Sequence, residues 1–386
     1  KELRCPNLSM FLVEIIYKNR IMKVLNLIWG FTLGAGIDKC FLTYARLNEI
    51  DEMLEIRNVC INILSLNSHI EPLKRINADF INIKSRKDFS WVGKLADLIR
   101  VYQPDIIFTH GFNGAIVVLI ERLLKKVRTK TILTYHGAYQ APTKAKKILE
   151  KLYNGLSIWV YKHVAYKTIC VAEYSRQYLI SKGVPACKVI TIHNGIKNSV
   201  SSCHPVKMSS NIINIITASR IDEIKGLNYM LDAIKILRKK NLDFHYYMIG
   251  EGPELTNLKN ICHEYALDDR ISFMGFQDNV QDWLAAADIF VIPSLSENHS
   301  IALLEAMRAQ LAIVATKVGG NGESITDGEQ GLLIPRADSI SLANALEKLI
   351  LDPLLREKLA IGARIRFEKE FTESAMMHNL IKVLHS

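Results

Sequence analysis

The feature that most constrains the fold of this chain is an alternation of short, β-rich apolar runs with longer amphipathic segments. The first series contains six such runs, at 23–29, 60–66, 105–110, 130–136, 167–172 and 189–194. The segments between them, among them SWVGKLADLIRVY at 90–102, have the apolar spacing of helices. This order of strands and helices is typical of a parallel, doubly wound sheet.

The same alternation then occurs a second time. The stretch 195–211 is polar, rich in serine and without periodicity, which predicts a linker. Six more strands are predicted after it, at 213–219, 244–250, 271–276, 288–294, 311–316 and 331–335. A length of 386 residues exceeds one ordinary core. We therefore predict an α/β protein with two Rossmann-like, doubly wound parallel-sheet domains, at 22–200 and 211–365, that face an interdomain cleft.

The ends of the chain and its cysteines indicate where the protein works. Residues 1–21 precede the first convincing strand and are interpreted as an N-terminal extension, with Met22 as a candidate natural start. No run approaches the roughly 20 apolar residues of a membrane span. The seven cysteines are scattered and form no C-x-x-C pair, which favours reduced thiols over a disulfide or metal framework. We expect a cytoplasmic protein.

The formal net charge of +10 is concentrated in one part of the chain. Between Ile120 and Lys167 there are eleven lysines and arginines but only two acids, and Tyr153, Trp159 and Tyr161 lie among them. A basic surface with aromatic side chains can bind anionic lipid headgroups. It can also bind nucleic acid or be an ordinary solvated helix face. We predict peripheral association of this 120–167 patch with the inner face of the cell membrane, and no nucleic-acid partner.

Two glutamates bracket the start of a predicted helix in the stretch SLSENHSIALLEAM. Glu297 lies in the loop after the strand 288–294, and Glu305 lies in the helix that begins near Ser300. The first N–H groups of such a helix have no intrahelical partner and favour an anion. Carboxylates on either side of a phosphate site suit a ribose, a diphosphate and a sugar in a row. Alternatively, one glutamate complements the helix dipole and the other is an ordinary surface residue.

Two cations follow the first strand of the second predicted domain. Arg220 and Lys225 lie in the loop between the strand 213–219 and the next helix. Arginine offers a planar fork for phosphate and lysine a mobile point charge, so both suit a diphosphate. Two unconnected surface cations are the alternative.

The first predicted domain offers glycines and histidines at strand ends. Gly34 and Gly36 follow the first strand, but the third glycine of the dinucleotide fingerprint is missing. His110 and His136 each end a predicted strand. A core or capping histidine is the common alternative, although two histidines at equivalent strand ends favour a site, and His136 in particular.

Taken together, these residues resemble the family 4 glycosyltransferases, which have the two-domain GT-B fold. The resemblance runs from about Met22 to the C-terminus. Its carriers, in chain order, are HNGI at 193–196, SRIDEIKGL at 219–227, GEGPE at 250–254, GF at 275–276, the E-x(7)-E pair of Glu297 and Glu305, VGG at 318–320 and GLLIP at 331–335.

The resemblance implies a role for each candidate of the second domain. Arg220 and Lys225 would bind the donor diphosphate, Glu305 the nucleotide ribose and Glu297 the hydroxyls of the donor sugar. The family typically has glycines after the first glutamate, where this chain has NHS. Asn298, in that stretch, is expected to offer further hydrogen bonds to the donor.

The resemblance implies further contacts from the helix start and from the first domain. The backbone amides of Ser300 and Ile301 would meet the phosphates, and the Ser300 side chain would cap the helix. His136 would line the pocket near the donor sugar. Gly34 and Gly36 would form the glycine loop of the first domain.

The resemblance also implies the chemistry. It implies transfer from a UDP-, GDP- or ADP-sugar to a glycan or glycolipid precursor of a polysaccharide, lipopolysaccharide or capsule, with retention of configuration. The leaving diphosphate would take the acceptor's proton on the same face of the sugar. No D-x-D motif is present, so neither a metal nor another cofactor is expected. A C-terminal helix at 366–386 would cross back to the first domain.

Other functions are alternatives to transfer. A sugar-nucleotide epimerase of the same fold should carry different acids around the nucleotide, and the E-x(7)-E pair argues against it. A non-catalytic nucleotide-sugar binder would not need all four of Arg220, Lys225, Glu297 and Glu305. A dehydrogenase is disfavoured by the missing glycine fingerprint.

Overall fold

The chain forms two units, each built on a parallel sheet. The computed structural model describes residues 20–31, 36–64, 70–85, 87–124, 128–137, 147–199, 203–208 and 211–386. The first unit comprises the residues up to Cys170 together with Tyr178–Ile190 and Met377–Ser386, and the second comprises Val171–Gln177 and Thr191–Met376. The predicted α/β class with two Rossmann-like domains is confirmed. Residues 1–19 of the predicted extension, and Gly34, lie outside the described residues.

The first unit contains a seven-stranded sheet in the order β3-β2-β1-β4-β5-β6-β7. Its strands are β1 (Met22–Trp29), β2 (Leu54–Ile63), β3 (Asp79–Ile83), β4 (Ile106–His110), β5 (Lys130–Tyr135), β6 (Lys167–Cys170) and β7 (Val189–Thr191). The strand order reverses between β1 and β4, which pair in parallel with Val24 opposite Ile106. This reversal creates a switch point at the carboxyl ends of the two strands, where open α/β sheets bind ligands.

Helices connect the strands of the first sheet. They are α1 (Gly36–Tyr44), α2 (Glu71–Arg75), α3 (Ser90–Tyr102), α4 (Gly111–Leu124), α5 (Lys147–His163) and α6 (Glu173–Ser181). The predicted helix at 90–102 is confirmed as α3. It buries Trp91, Leu95 and Ile99, which recur at helical spacing, in the core of the unit. The strand β3 was not predicted.

The second unit contains a six-stranded sheet in the order β10-β9-β8-β11-β12-β13. Its strands are β8 (Ile213–Ala218), β9 (Phe244–Ile249), β10 (Ile271–Gly275), β11 (Ile289–Ile292), β12 (Ala312–Thr316) and β13 (Leu332–Ile334). All six agree with the predicted strands to within two residues. The order reverses between β8 and β11, where Ile215 pairs with Ile289. This sheet therefore has its own switch point at the carboxyl ends of β8 and β11.

Eight helices follow the strands of the second sheet in the described part of the chain. They are α7 (Leu227–Arg238), α8 (Leu255–Glu264), α9 (Val280–Leu284), α10 (Ile301–Arg308), α11 (Asn321–Ser324), α12 (Ser339–Leu351), α13 (Pro353–Glu370) and α14 (Glu373–Leu384). None of the helices among the described residues is both long enough and apolar enough to cross a membrane.

The C-terminal segment returns to the first unit, as predicted. His385 Nε2 lies 2.6 Å from Asp51 Oδ2, and Tyr166 Oη donates to the carbonyl oxygen of Ser386. The single helix predicted at 366–386 is wrong, because α13 ends at Glu370 and α14 begins at Glu373. The helix is interrupted there because the backbone between α13 and α14 forms hydrogen bonds to Ile196, at the start of the predicted linker.

Candidate active site

Two loops of the second unit meet over its switch point. The loop after β8 contains the short 3-10 helix Glu223–Lys225, and the loop after β11 begins at Pro293. The N–H of Leu295 donates to the carbonyl oxygen of Ile224 at 2.7 Å, which joins the two loops. Gly226 has a φ of +63°, and a Cβ there would overlap the Pro293 carbonyl oxygen. Glycine is required for this close approach.

An ion pair links the two loops. Lys225 Nζ lies 2.7 Å from Glu297 Oε1, and Ser294 Oγ donates to the same carboxylate oxygen at 2.8 Å. The exposed fractions of the Lys225 and Glu297 side chains are 24% and 10%. Water therefore screens this pair less than it screens a surface pair. The structure thus brings together two of the predicted site residues and adds Ser294, which the sequence analysis did not select.

Arg220 lies apart from that pair in its bonding. Its Nε donates to Asp222 Oδ2 at 2.6 Å. The Arg220 side chain is 73% exposed, whereas that of Asp222 is 12% exposed. The guanidinium is therefore exposed at the surface of the loop after β8, and the hydrogen bond from its Nε to Asp222 fixes its position.

Neighbouring segments hold the loop that carries Glu297 through hydrogen bonds to Asn298. The N–H of Gly320 donates to the carbonyl oxygen of Asn298 at 2.6 Å, and Ser175 Oγ donates to Asn298 Oδ1 at 2.8 Å. A Cβ at Gly319 or Gly320 would overlap the carbonyl oxygen of Glu297 or of Asn298, respectively. The VGG motif is thus needed to let the two loops pack together.

His299 ties the same loop to helix α11. The carbonyl oxygen of His299 accepts from Asn194 Nδ2 at 3.0 Å, and its ring Nε2 lies 3.1 Å from Ser324 Oγ. Burial, with a smaller effect of the neighbouring His193 ring, lowers the pKa of His299 to about 3. The ring is therefore neutral at physiological pH. The HNG motif, which supplies Asn194, acts here as a support for the NHS stretch.

Helix α10 begins directly after this loop. Ser300 is its N-cap, and its side chain accepts from the N–H of Leu303 at 3.3 Å. The predicted capping role of Ser300 is confirmed. Ile301 is the first helical residue, and Glu305 lies half-buried one turn further along. The positive end of the α10 dipole is thus directed to the loop of Glu297.

A second polar cluster lies beside this site, and the sequence analysis missed it. The Glu323 carboxylate lies 2.8 Å from His193 Nε2 and accepts from the N–H groups of Glu173 and Tyr174, at the start of α6. Burial opposes ionisation of Glu323, but the hydrogen bonds from His193 and from the two N–H groups outweigh it and lower its pKa. Glu323 ends the stretch VGGNGE and His193 begins the motif HNGI, so these two motifs were the sequence signals that could have led to the pair.

The first unit carries the remaining candidates. His136 follows β5 and is half-buried, with its Nε2 3.0 Å from Thr134 Oγ1. Burial lowers the pKa of His136 to about 4, so its ring is neutral at physiological pH. Gly36 is the first residue of α1, and Gly34 lies outside the described residues. Among the residues that the structure describes, no three His, Cys, Asp or Glu side chains group as a metal site.

Two family models match the chain. The model of glycosyl transferases group 1 matches residues 207–366, and that of glycosyltransferase family 4 matches residues 68–199. The matched ranges include the whole second sheet and strands β3 to β7 of the first. They also include the candidate residues Arg220, Lys225, Glu297, Glu305 and His136.

Two relatives with similar sequences are named as glycosyltransferases. The chain is 28% identical over 297 residues to the amylovoran biosynthesis glycosyltransferase AmsK of Erwinia amylovora, which covers 74% of this chain and 71% of the relative. It is 25% identical over 323 residues to the UDP-Gal:alpha-D-GlcNAc-diphosphoundecaprenol alpha-1,3-galactosyltransferase of Escherichia coli, with 79% of this chain and 82% of the relative covered.

A solved structure agrees with the fold. Anabaena HepE in complex with UDP-glucose superposes with a TM-score of 0.78 at 18% identity, over 94% of this chain and 99% of HepE. The two domain sheets, the positions of the motifs and these matches lead to one assignment. The chain is a member of the family 4 glycosyltransferases, with the GT-B fold.

Proposed function

We propose that this protein transfers a sugar from a nucleoside diphosphate sugar to a glycan or glycolipid precursor of a polysaccharide, lipopolysaccharide or capsule. The observation that carries the proposal is the ion pair of Lys225 and Glu297 over the switch point of the second sheet, next to the capped start of α10. One group of this pair suits a phosphate and the other suits sugar hydroxyls, which is the order of groups in such a donor.

The donor would be bound from its nucleotide to its sugar by successive groups of the second unit. Glu305 would accept from the ribose hydroxyls. Arg220, Lys225 and the amides of Ser300 and Ile301 would bind the diphosphate, because cations and a helix start both favour negative charge.

The sugar would be held at the other end of this row. Glu297 would accept from its hydroxyls. Asn298 would donate through its side-chain nitrogen, since its side-chain oxygen accepts from Ser175. His136 of the first unit would contact the same sugar.

The reaction would proceed with retention and without a metal. The bond between the anomeric carbon and the β-phosphate oxygen breaks, and its electron pair stays on the phosphate. The acceptor hydroxyl forms its new bond on the same face, and its proton passes to the departing diphosphate. Lys225, Arg220 and the α10 dipole would stabilise the charge that develops on the departing diphosphate. Electrostatic stabilisation of this kind is usually the largest single contribution to the rate enhancement of an enzyme.

The names of similar proteins support a choice of substrates. The Escherichia coli relative is named for a UDP-galactose donor and a diphosphoundecaprenol acceptor, and HepE binds UDP-glucose. Among UDP-, GDP- and ADP-sugars, we therefore favour a UDP-sugar. The acceptor that fits best is a lipid-linked saccharide, which brings the reaction to the cytoplasmic face of a membrane.

An exposed apolar face of α5 supports attachment to that membrane. Ile148, Leu152, Leu156 and Trp159 recur every three or four residues, and their exposed fractions lie between 40% and 75%. Residues at this spacing share one face of a helix. Lys151 and Lys162 are exposed on the same helix. An apolar face with basic neighbours is typical of a helix that binds anionic lipid.

One part of the predicted membrane patch is wrong. Tyr161 is buried, with its ring packed 5.5 Å from that of Tyr135, so it belongs to the core of the first unit. Of the three aromatic residues that were predicted for the patch, Trp159 is exposed and Tyr153 is half-buried.

The proposal is tested by incubating the purified protein with a panel of UDP-, GDP- and ADP-sugars without acceptor. We expect slow release of the nucleoside diphosphate and free sugar from one donor, insensitive to a metal chelator, with the released sugar first in the donor's own anomeric configuration. Conversion of the donor into an epimeric nucleotide sugar would identify an epimerase instead. Binding of no donor at all would refute the proposal.

A further inference from the structure

A chain of buried hydrogen bonds crosses the first sheet and ends at His136. It links side chains of four neighbouring strands, β2, β1, β4 and β5, in the order Asn58, Asn26, His110, Thr134 and His136. The first four side chains are almost fully buried. Buried polar side chains must pair with one another, so the direction of each bond in the chain can be derived.

The direction is fixed at the far end by two backbone carbonyl groups, which only accept. Asn58 Nδ2 donates to the carbonyl oxygen of Ile76, so Asn58 Oδ1 is the acceptor that faces Asn26. Asn26 Nδ2 donates to that oxygen at 2.9 Å and to the carbonyl oxygen of Phe41 at 3.3 Å. Asn26 Oδ1 is therefore the atom that faces His110, and it can only accept.

This order determines the protonated nitrogen of His110. Its Nε2 lies 3.0 Å from Asn26 Oδ1, so Nε2 carries the proton. The His110 ring packs among Phe41, Tyr44 and Phe108, and this burial lowers its pKa well below the ordinary value. The ring is thus neutral, and Nδ1 carries a lone pair. Thr134 Oγ1, 3.3 Å from Nδ1, must donate its single proton to it.

The same logic reaches His136. Because the Thr134 hydroxyl proton is used on His110, its oxygen accepts from His136 Nε2 at 3.0 Å. We propose that this chain holds His136 in the Nε2–H tautomer, and that His110 and Thr134 are positioning residues that make His136 Nδ1 a hydrogen-bond acceptor. A neutral acceptor nitrogen suits a hydroxyl group and disfavours a phosphate. The group recognised by Nδ1 would then be a sugar hydroxyl, a role that rests on the proposed function.

The tautomer is tested directly by NMR on the full chain labelled with ¹⁵N in its histidine rings. Two-bond ¹H–¹⁵N correlations distinguish Nδ1–H from Nε2–H, and a His136→Gln variant identifies the His136 signals. We expect the wild-type protein at neutral pH to show His136 with a protonated Nε2. Observation of the Nδ1–H tautomer there would overturn the inference without any variant.

Substitutions test the positioning role. Thr134→Val keeps the shape but removes the hydroxyl, so we expect the Nδ1–H form of His136 to appear, while Thr134→Ser retains the wild-type tautomer. Thr131→Val is the matched control, because Thr131 is buried in the same strand and its hydroxyl bonds to the Thr129 carbonyl oxygen. An unchanged tautomer in folded Thr134→Val would contradict the inference.

Turnover supplies a second measurement. With a donor that the wild-type protein hydrolyses, Thr134→Val should lower kcat by about tenfold, the effect of one lost hydrogen bond, and Thr134→Ser should restore it. A protein with the expected tautomer but no activity on any nucleotide sugar would refute the proposed function and leave the positioning chain intact. Wild-type kcat in Thr134→Val would refute the role of the chain in the reaction.

Discussion

Lys225 Nζ and Glu297 Oε1 lie 2.7 Å apart, although 72 residues separate them in the chain. The two residues come from the loops after β8 and β11, and the reversal of strand order between these strands brings the loops together. The lysine charge is therefore balanced before any donor binds. A diphosphate would have to share Lys225 with Glu297, which connects the phosphate contact to the sugar contact.

Lys225→Ala should lower turnover of the donor by about 100-fold, because the variant lacks a cation at the departing diphosphate. Steady-state hydrolysis or transfer assays measure this effect. The control is Lys239→Ala, which removes an exposed lysine of the same unit. Equal rates for Lys225→Ala and Lys239→Ala would remove Lys225 from the mechanism.

The same substitution should also destabilise the protein. It leaves the Glu297 carboxylate largely buried without its cation, which should lower the free energy of unfolding by about 1–3 kcal/mol. Adding Glu297→Gln should recover part of that loss, since the second change removes the uncompensated charge. Urea unfolding of the two single variants and the double variant measures the coupling. Strictly additive effects would show that the pair contributes nothing as a pair.

Gly320→Ala should be strongly disruptive and Gly322→Ala should be tolerated. A Cβ at Gly320 would overlap the carbonyl oxygen of Asn298, whereas at Gly322 the nearest group is Lys317 Cγ at 3.9 Å. We expect Gly320→Ala to lower the free energy of unfolding by about 1–3 kcal/mol, as overpacking does, and to impair donor binding. Thermal unfolding and donor titration of both variants test this. The reverse order of damage would contradict the packing of the two loops.

Stability should fall as the pH is lowered below about 6.5, in part because of His299. Its pKa in the folded state is about 3, against an ordinary value of 6.5. Between these values the unfolded chain binds a proton that the folded chain does not, so a fall in pH favours unfolding, by about 1.4 kcal/mol per pH unit.

A variant isolates that contribution. His299→Leu should flatten the dependence of the free energy of unfolding on pH by about one proton between pH 6 and pH 4.5. His263→Leu serves as the control, since His263 is exposed on α8. Urea unfolding at several pH values gives both slopes. A slope for His299→Leu that equals the wild-type slope would show that His299 is protonated in the folded state as readily as in the unfolded state.

Leu152→Glu should weaken binding to vesicles that contain anionic lipid by at least about tenfold, because it places a charge in the apolar face of α5. Val101→Glu is the matched control, since Val101 is 80% exposed on α3 of the same unit. Vesicle flotation, compared between neutral and anionic compositions, measures the effect. Binding that survives Leu152→Glu as well as it survives Val101→Glu would exclude α5 as the lipid contact.

The sequence was sufficient for most of the fold, because the central strands are short, apolar and regularly spaced. Strand β3 escaped it for a physical reason. Its five residues, DFINI, form an edge strand that is too short and too polar to stand out as an apolar run, and only Ile81 and Ile83 among them are buried. Asn82 there pairs with Asn62 of β2 through side chains, a bond that no local pattern predicts.

The candidate site was predictable only in part. Residues at strand ends, such as Lys225 and Glu297, could be selected because parallel strands bring their carboxyl ends to one edge. The pairing of His193 with Glu323 was not predicted, because it joins residues 130 positions apart and neither of their motifs shows that it contacts the other. The chain of buried hydrogen bonds through His110 was not predicted either, because it depends on which strands are neighbours in the sheet.

The path of the chain through the two units has a practical consequence for dissecting the protein. Residues 171–177 and 191–376 belong to one unit, while 178–190 and 377–386 belong to the other. If the gene were divided once, in the serine-rich stretch near residue 200, neither fragment would contain a complete unit. Each fragment would also contain a short segment that belongs to the other unit. Separate production of either unit would require joining non-adjacent segments of the coding sequence, and α14 would be divided at Met377.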